Sequence, residues 1–78
     1  MYHVYLLLCS DNTIYTGITT DLQRRLKEHK KGTASRYTRA KKAQKIIYSE
    51  KHATRSTALR REAEIKSWPR RKKLNLIA

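Results

Sequence analysis

Apolar residues in this chain arrive in short bursts whose spacing changes along its length. Tyr2, Val4, Tyr5, Leu6, Leu7 and Leu8 make a near-continuous run that ends at Cys9. Such a run is the pattern of a strand covered on both faces, so residues 2–9 are read as a central strand. Ser10, Asp11 and Asn12 supply turn chemistry. Thr13 to Ile18 is read as a second strand, paired with the first as a hairpin. Gly17 near its end allows a bend or the close approach of another group. The pattern then turns helical. Thr20 with Gln23 three residues on is a capping box, predicting a helix from about Asp21 to Lys31 that stops at Gly32. Residues 33–42 are polar and basic and are read as a loop with a short helix. Lys45 to Glu50, centred on Ile46, Ile47 and Tyr48, forms a third strand. Thr54 or Ser56 caps a second long helix running to about Trp68, which Pro69 ends or follows with a short helical turn. This order predicts an α+β domain over residues 1–78: a small three-stranded, largely antiparallel sheet flanked by helices.

Helical geometry then puts polar groups where a core belongs. With Leu22 at the centre of the first apolar stripe, Leu26 lies roughly 40° to one side, His29 roughly 20° to the other and Arg25 roughly 60°. Arg24, Lys27 and Glu28 point to solvent. On the second helix Ala58, Leu59, Glu62, Ile65 and Lys66 share a side, while Arg60 and Glu64 face away. A carboxylate on such a stripe needs a partner or a cation. The plainer readings are a Glu62–Arg25 ion pair, a satisfied core-edge histidine at His29, ordinary strand aromatics at Tyr5 and Tyr15, and a turn residue at Asn75.

Charge changes the picture most. Nineteen Lys and Arg against six Asp and Glu give a formal net charge of +13 and a pI near 10.4 in only 78 residues. A polyanion rewards that excess, because Lys and Arg that neutralise phosphates release counterions. A highly soluble basic surface is the plainer alternative. Neither a basic helix with a large apolar face nor a lipidation motif points to a membrane. The apolar N-terminal stretch is too short to span a bilayer and has no basic leader. A chain this small has little room for an enclosed cavity, which favours a shallow surface groove suited to a polymer. The single cysteine, Cys9, can form no internal disulfide; a buried thiol fits a reducing cytoplasm. One Cys and three scattered His do not make a zinc pattern.

Val4-Tyr5 on the first strand and Tyr15-Thr16-Gly17 on the second resemble the two signatures of the GIY-YIG nuclease superfamily. Arg25 follows ten residues after Tyr15, and His29 four further on. Ala58-Leu59-x-x-Glu62 looks like the family's glutamate helix, and Pro69 through Asn75 resembles its basic segment ending in a functional Asn. The first motif departs from the pattern, reading His3-Val4-Tyr5 without the glycine. Nearest in type are the short stand-alone bacterial members, which resemble the nuclease domain of excision-repair and structure-specific endonucleases.

The resemblance implies a metal-dependent DNA endonuclease with Mg²⁺ or Mn²⁺ held by Glu62. Its site would comprise Tyr5 as general base, Arg25 on the scissile phosphate, Tyr15 and His29 orienting water or relaying protons, and Asn75 supporting the site or a phosphate. Lys41, Lys42, Arg70, Arg71, Lys72 and Lys73, with Arg25, are candidate backbone contacts, against the plainer reading of a solvated basic face. DNA is favoured over RNA as partner, and a targeting protein could supply specificity. The rival expectations are a non-catalytic nucleic-acid-binding module of the same fold and a basic subunit that joins a larger repair complex.

Overall fold

The computed structural model describes residues 1–34 and 36–77, with the backbone alone for residues 37–39; Ser35, in the anticipated basic loop, lies outside them. In chain order the elements are β1 (Tyr2–Cys9), β2 (Ile14–Thr19), α1 (Leu22–Lys31), α2 (Arg36–Lys41), β3 (Ala43–His52), α3 (Arg55–Lys66) and α4 (Arg70–Asn75). The sheet order is β2-β1-β3, both pairings are antiparallel, and β1 is central as its apolar run implied.

Local chemistry sets the helix ends. The cap of α1 falls one residue later than the sequence suggested. Asp21, not Thr20, accepts from Arg24 N at 3.0 Å, and Thr19 Oγ1 accepts from Asp21 N at 3.1 Å. A carboxylate satisfies that first turn and also meets the positive end of the helix dipole, which a threonine cannot do. Gly32 ends the helix at φ 79°, a left-handed conformation that favours glycine. Thr54 caps α3 by accepting from Thr57 N at 3.2 Å. β3 is longer than its apolar centre indicated. It is an edge strand, so its ends pair through backbone alone while Gln44, Lys45 and Lys51 remain in water.

Register assigns the two faces of the sheet. Val4, Leu6 and Leu8 stand opposite Ile18, Thr16 and Ile14 on β2, and Val4 and Leu6 oppose Glu50 and Tyr48 on β3. The main core lies on this face, where Val4, Leu6 and Ile14 meet Ala58 and Ile65 of α3, with Trp68, Leu74 and Leu76 packed around them. Each fully buried aliphatic side chain here contributes about 1.5–3 kcal/mol. Leu59, expected in the apolar stripe of α3, is instead exposed. A polar network closes the β3 side of this face. Glu50 accepts from Tyr48 Oη at 2.7 Å, from Arg61 Nε at 3.0 Å and lies 2.7 Å from His52 Nε2. Burial pushes the Glu50 carboxyl up, but these bonds outweigh it and hold the group below its usual range. Arg61 and Lys72 also sit over the Trp68 ring, 5.1 and 4.4 Å from its centre.

Candidate active site

Tyr5 and Leu7 point to the opposite face of the sheet, where they oppose Gly17 and Tyr15 across the hairpin. Tyr5 is only 1% exposed. Its position depends on the residue opposite. A Cβ at Gly17 would stand 2.6 Å from Tyr5 Oη, 2.8 Å from its Cζ and 3.0 Å from Tyr15 Cε2. The glycine therefore makes space for a phenol that crosses the strand. The last turn of α1 brings His29, also 1% exposed, onto the same spot. Its Nε2 lies 2.7 Å from Tyr5 Oη. The Tyr15 ring completes a triangle, with centres 5.2 Å from His29 and 6.4 Å from Tyr5.

This cluster is electrostatically tense. Burial, then Tyr15, pushes the Tyr5 phenol well above its ordinary range, while the Arg25 guanidinium pulls it down and the Glu62 and Glu28 carboxylates add to the rise. Burial, and after it Arg25, holds His29 below its ordinary value, so its imidazole is neutral near pH 7. In one tautomer the Tyr5 hydroxyl donates to Nε2; in the other Nε2–H donates to the hydroxyl oxygen.

Arg25 and Glu62 thus both act on the Tyr5 hydroxyl, but they do not pair with each other as the plainer sequence reading had it. Arg25 Nε lies 3.1 Å from Glu28 Oε1, and Glu62 Oε2 lies 3.4 Å from Lys66 Nζ. The reason is helical geometry: partners three or four residues along one helix are closer to hand than one on another element. Glu28, which the sequence placed toward solvent, is partly exposed and pairs with Arg25 along the helix. The Glu62 side chain is only 17% exposed, so the apolar stripe of α3 does carry a half-buried acid. Asn75 ends α4 and is exposed, and no described hydrogen bond ties it to Tyr5, Tyr15, Arg25, His29 or Glu62.

The candidate backbone contacts fall into two groups. Lys41 ends α2 and Lys42 follows it against the β1–β2 turn, where Ser10 N donates to their carbonyls and Lys41 Nζ lies 2.9 Å from Asp11. Arg70 reaches the same turn from α4, donating from Nε to the Asn12 carbonyl at 3.2 Å. Arg71 is exposed, Lys72 covers Trp68, and burial followed by Lys66 holds the Lys73 ammonium below its ordinary value. Among the described residues no helix is long and apolar enough to cross a membrane.

A hairpin whose opposed tyrosine and glycine receive an arginine and a histidine from the following helix, on a β2-β1-β3 sheet, defines a GIY-YIG-type nuclease domain. The chain belongs to that family: the model of the GIY-YIG catalytic domain matches residues 1–75. It is 47% identical to a UPF0213 protein of Haloquadratum walsbyi, over 96% of this chain and 84% of that one. It is 41% identical to a UPF0213 protein of Staphylococcus aureus, over 97% and 93% of the two chains. The solution NMR structure of a UPF0213 protein from Bacillus halodurans superposes with a TM-score of 0.61 at 38% identity, covering 99% of this chain and 83% of that one.

Metal dependence is general in the family, and the donors present can be tested against it. Among the described residues no three His, Cys, Asp or Glu side chains converge as a soft or multidentate site would need. Glu62, only 17% exposed on α3, is a hard oxygen donor. It fits a small divalent cation that keeps most of its waters.

Proposed function

We propose that this chain is a metal-dependent endonuclease that hydrolyses phosphodiester bonds in DNA, and that Tyr5, Tyr15, Arg25, His29 and Glu62 form its active site. The observation that carries this reading is the 2.7 Å contact between the buried Tyr5 hydroxyl and a neutral His29. Two side chains held in that way form a proton path. Tyr5 takes a proton from the attacking water while its own passes to His29 Nε2, so the phenol never has to persist as a phenolate against the burial that opposes it. Arg25 neutralises charge developing on the phosphate oxygens as the P–O bond to the leaving group breaks. Tyr15 packs against both rings and orients them. Glu62 would hold Mg²⁺ or Mn²⁺, which supplies Lewis-acid stabilisation of the phosphate. Asn75 takes a supporting place at the end of α4. Lys41, Lys42, Arg70, Arg71, Lys72 and Lys73 contact the DNA backbone, consistent with the net charge of +13. The similarity to excision-repair nuclease domains supports a place in DNA repair or recombination, in the cytoplasm, with a targeting protein supplying specificity.

The test is to incubate purified protein with flap, branched and linear DNA, with and without Mg²⁺ or Mn²⁺, beside Glu62→Ala. The variant should keep most of its DNA affinity and lose at least ~100-fold in cutting. Cutting without a divalent ion, or unchanged cutting by Glu62→Ala, would refute the mechanism. Tight, steeply salt-dependent binding with no cutting of any substrate would favour the non-catalytic binding module instead.

A further inference from the structure

We infer that Glu28 is a positioning residue, which holds the Arg25 guanidinium by its Nε edge so that both Nη groups face a phosphate. The inference rests on the nuclease reading above and adds a residue to it. Glu28 Oε1 lies 3.1 Å from Arg25 Nε, and Glu28 Oε2 lies 3.9 Å from Arg24 Nε. Arg25 Nε is itself shut off from solvent, and its N–H has no aligned acceptor. The contact is therefore a close ion pair that fixes the guanidinium through charge, not an in-line hydrogen bond. Among the described residues no hydrogen bond engages Arg25 Nη1 or Nη2. Those two groups form the fork that receives two phosphate oxygens at once.

The position in the helix makes the arrangement specific. Residues 25, 28 and 29 stand at i, i+3 and i+4, so one turn of α1 carries the arginine, its carboxylate and the histidine that meets Tyr5. An acid here is an odd choice for a binding surface, because it repels the phosphate that Arg25 would attract. It is also a poor stabiliser of the fold, since the paired side chains are 31% and 39% exposed and exposed ion pairs contribute little. What a carboxylate at this place does supply is orientation of a long, otherwise mobile cation ahead of the chemical step.

That account predicts effects of opposite sign on binding and on chemistry. Glu28→Ala and the isosteric Glu28→Gln should fold as the parent does. Each should bind a short DNA duplex two- to five-fold more tightly, having lost a repulsive charge, yet cut it roughly ten-fold more slowly at saturation, a split between KM and kcat. The ¹⁵N relaxation of Arg25 Nε, read in the absence of DNA, should report an ordered side chain in the parent and a mobile one in both variants. Parent-like kcat, or a parallel loss of binding and kcat, overturns the assignment. So does an Arg25 Nε that is equally ordered, or equally mobile, in all three proteins. If the parent cuts no DNA, the nuclease reading falls by itself, and the relaxation data still decide whether Glu28 holds Arg25.

Discussion

The two faces of this sheet treat buried polar groups in opposite ways. Over β3, Glu50 receives Tyr48, His52 and Arg61, and these bonds more than offset the desolvation of its carboxylate. Across the sheet, burial of Tyr5 is not offset, its neighbours Tyr15 and Glu62 add to the strain, and only Arg25 relieves it. Glu50 carries the hallmark of architecture: each donor near it is used, and the charge sits where the fold wants it. Tyr5 and His29 are held by packing and by one hydrogen bond to each other, with burial opposing charge on both. Both networks are displaced, but bonds favour the charged form of Glu50 whereas burial opposes charge on Tyr5 and His29, so the contrast separates a network that fastens α3 to β3 from a cluster suited to move protons.

Three measurements probe that contrast. The largest effect is expected at Gly17→Ala. The new methyl cannot coexist with Tyr5 Oη at 2.6 Å, so the phenol must leave His29, and DNA cutting should drop by ~100-fold or more. The fold should survive with a loss of about 1–3 kcal/mol, read by thermal unfolding. Cutting that persists at the parent rate would show that the Tyr5–His29 contact is dispensable.

Next in size is Glu50→Ala, which strands Tyr48, His52 and Arg61 without their common acceptor. For a partly exposed site this should cost about 2 kcal/mol, a fall in Tm of about 10 °C for a domain this small. Cutting by the folded fraction should be unchanged. A loss of kcat at a temperature where the variant is fully folded would mean that the two faces are coupled.

The smallest effect is in acid, and both faces push the same way. His29 has its folded pKa below the ordinary 6.5, so the unfolded chain takes up a proton that the folded one refuses, and stability should decline as pH falls below about 6.5. Glu50 has its folded pKa below the ordinary 4.5, so its contribution is present above that value and is lost as pH falls further. Tm against pH should thus bend twice, and Glu50→Gln should weaken the lower bend, to which Asp11 also contributes, while leaving the upper one. A single bend near 4.5 in the parent would refute the neutral, buried state of His29.

Sequence patterning made the framework legible and missed what depends on three-dimensional neighbours. The uninterrupted apolar run of β1 marks a central strand, and the 3.6-residue period of α1 by itself turns His29 inward. Asp21 rather than Thr20 caps α1 because the two compete for the same role, and short-range signals rank adjacent caps poorly. β3 was cut short because an edge strand needs no apolar residues at its ends. The Glu50 network was invisible: Tyr48, Glu50 and His52 alternate on a strand as any half-solvated residues do, and only the approach of Arg61 from α3 gives them a common purpose. At the candidate site, the motif spacing and the helical geometry both singled out Arg25, His29 and Glu62, and the structure brings Arg25 and Glu62 within electrostatic reach of Tyr5. The Glu28–Arg25 pair is not legible there, because position on a helical wheel says nothing about which neighbour a flexible side chain meets.

The outer rim of β3 has a consequence for the molecule in concentrated solution. An unpaired strand rim offers its backbone amides and carbonyls to any similar rim that drifts alongside, the first step toward fibrils. Here that rim carries exposed Lys45 and Lys51, and two copies approaching flank to flank would press ammonium against ammonium. The same positive charge that would draw in a polyanion also opposes such edge-to-edge pairing.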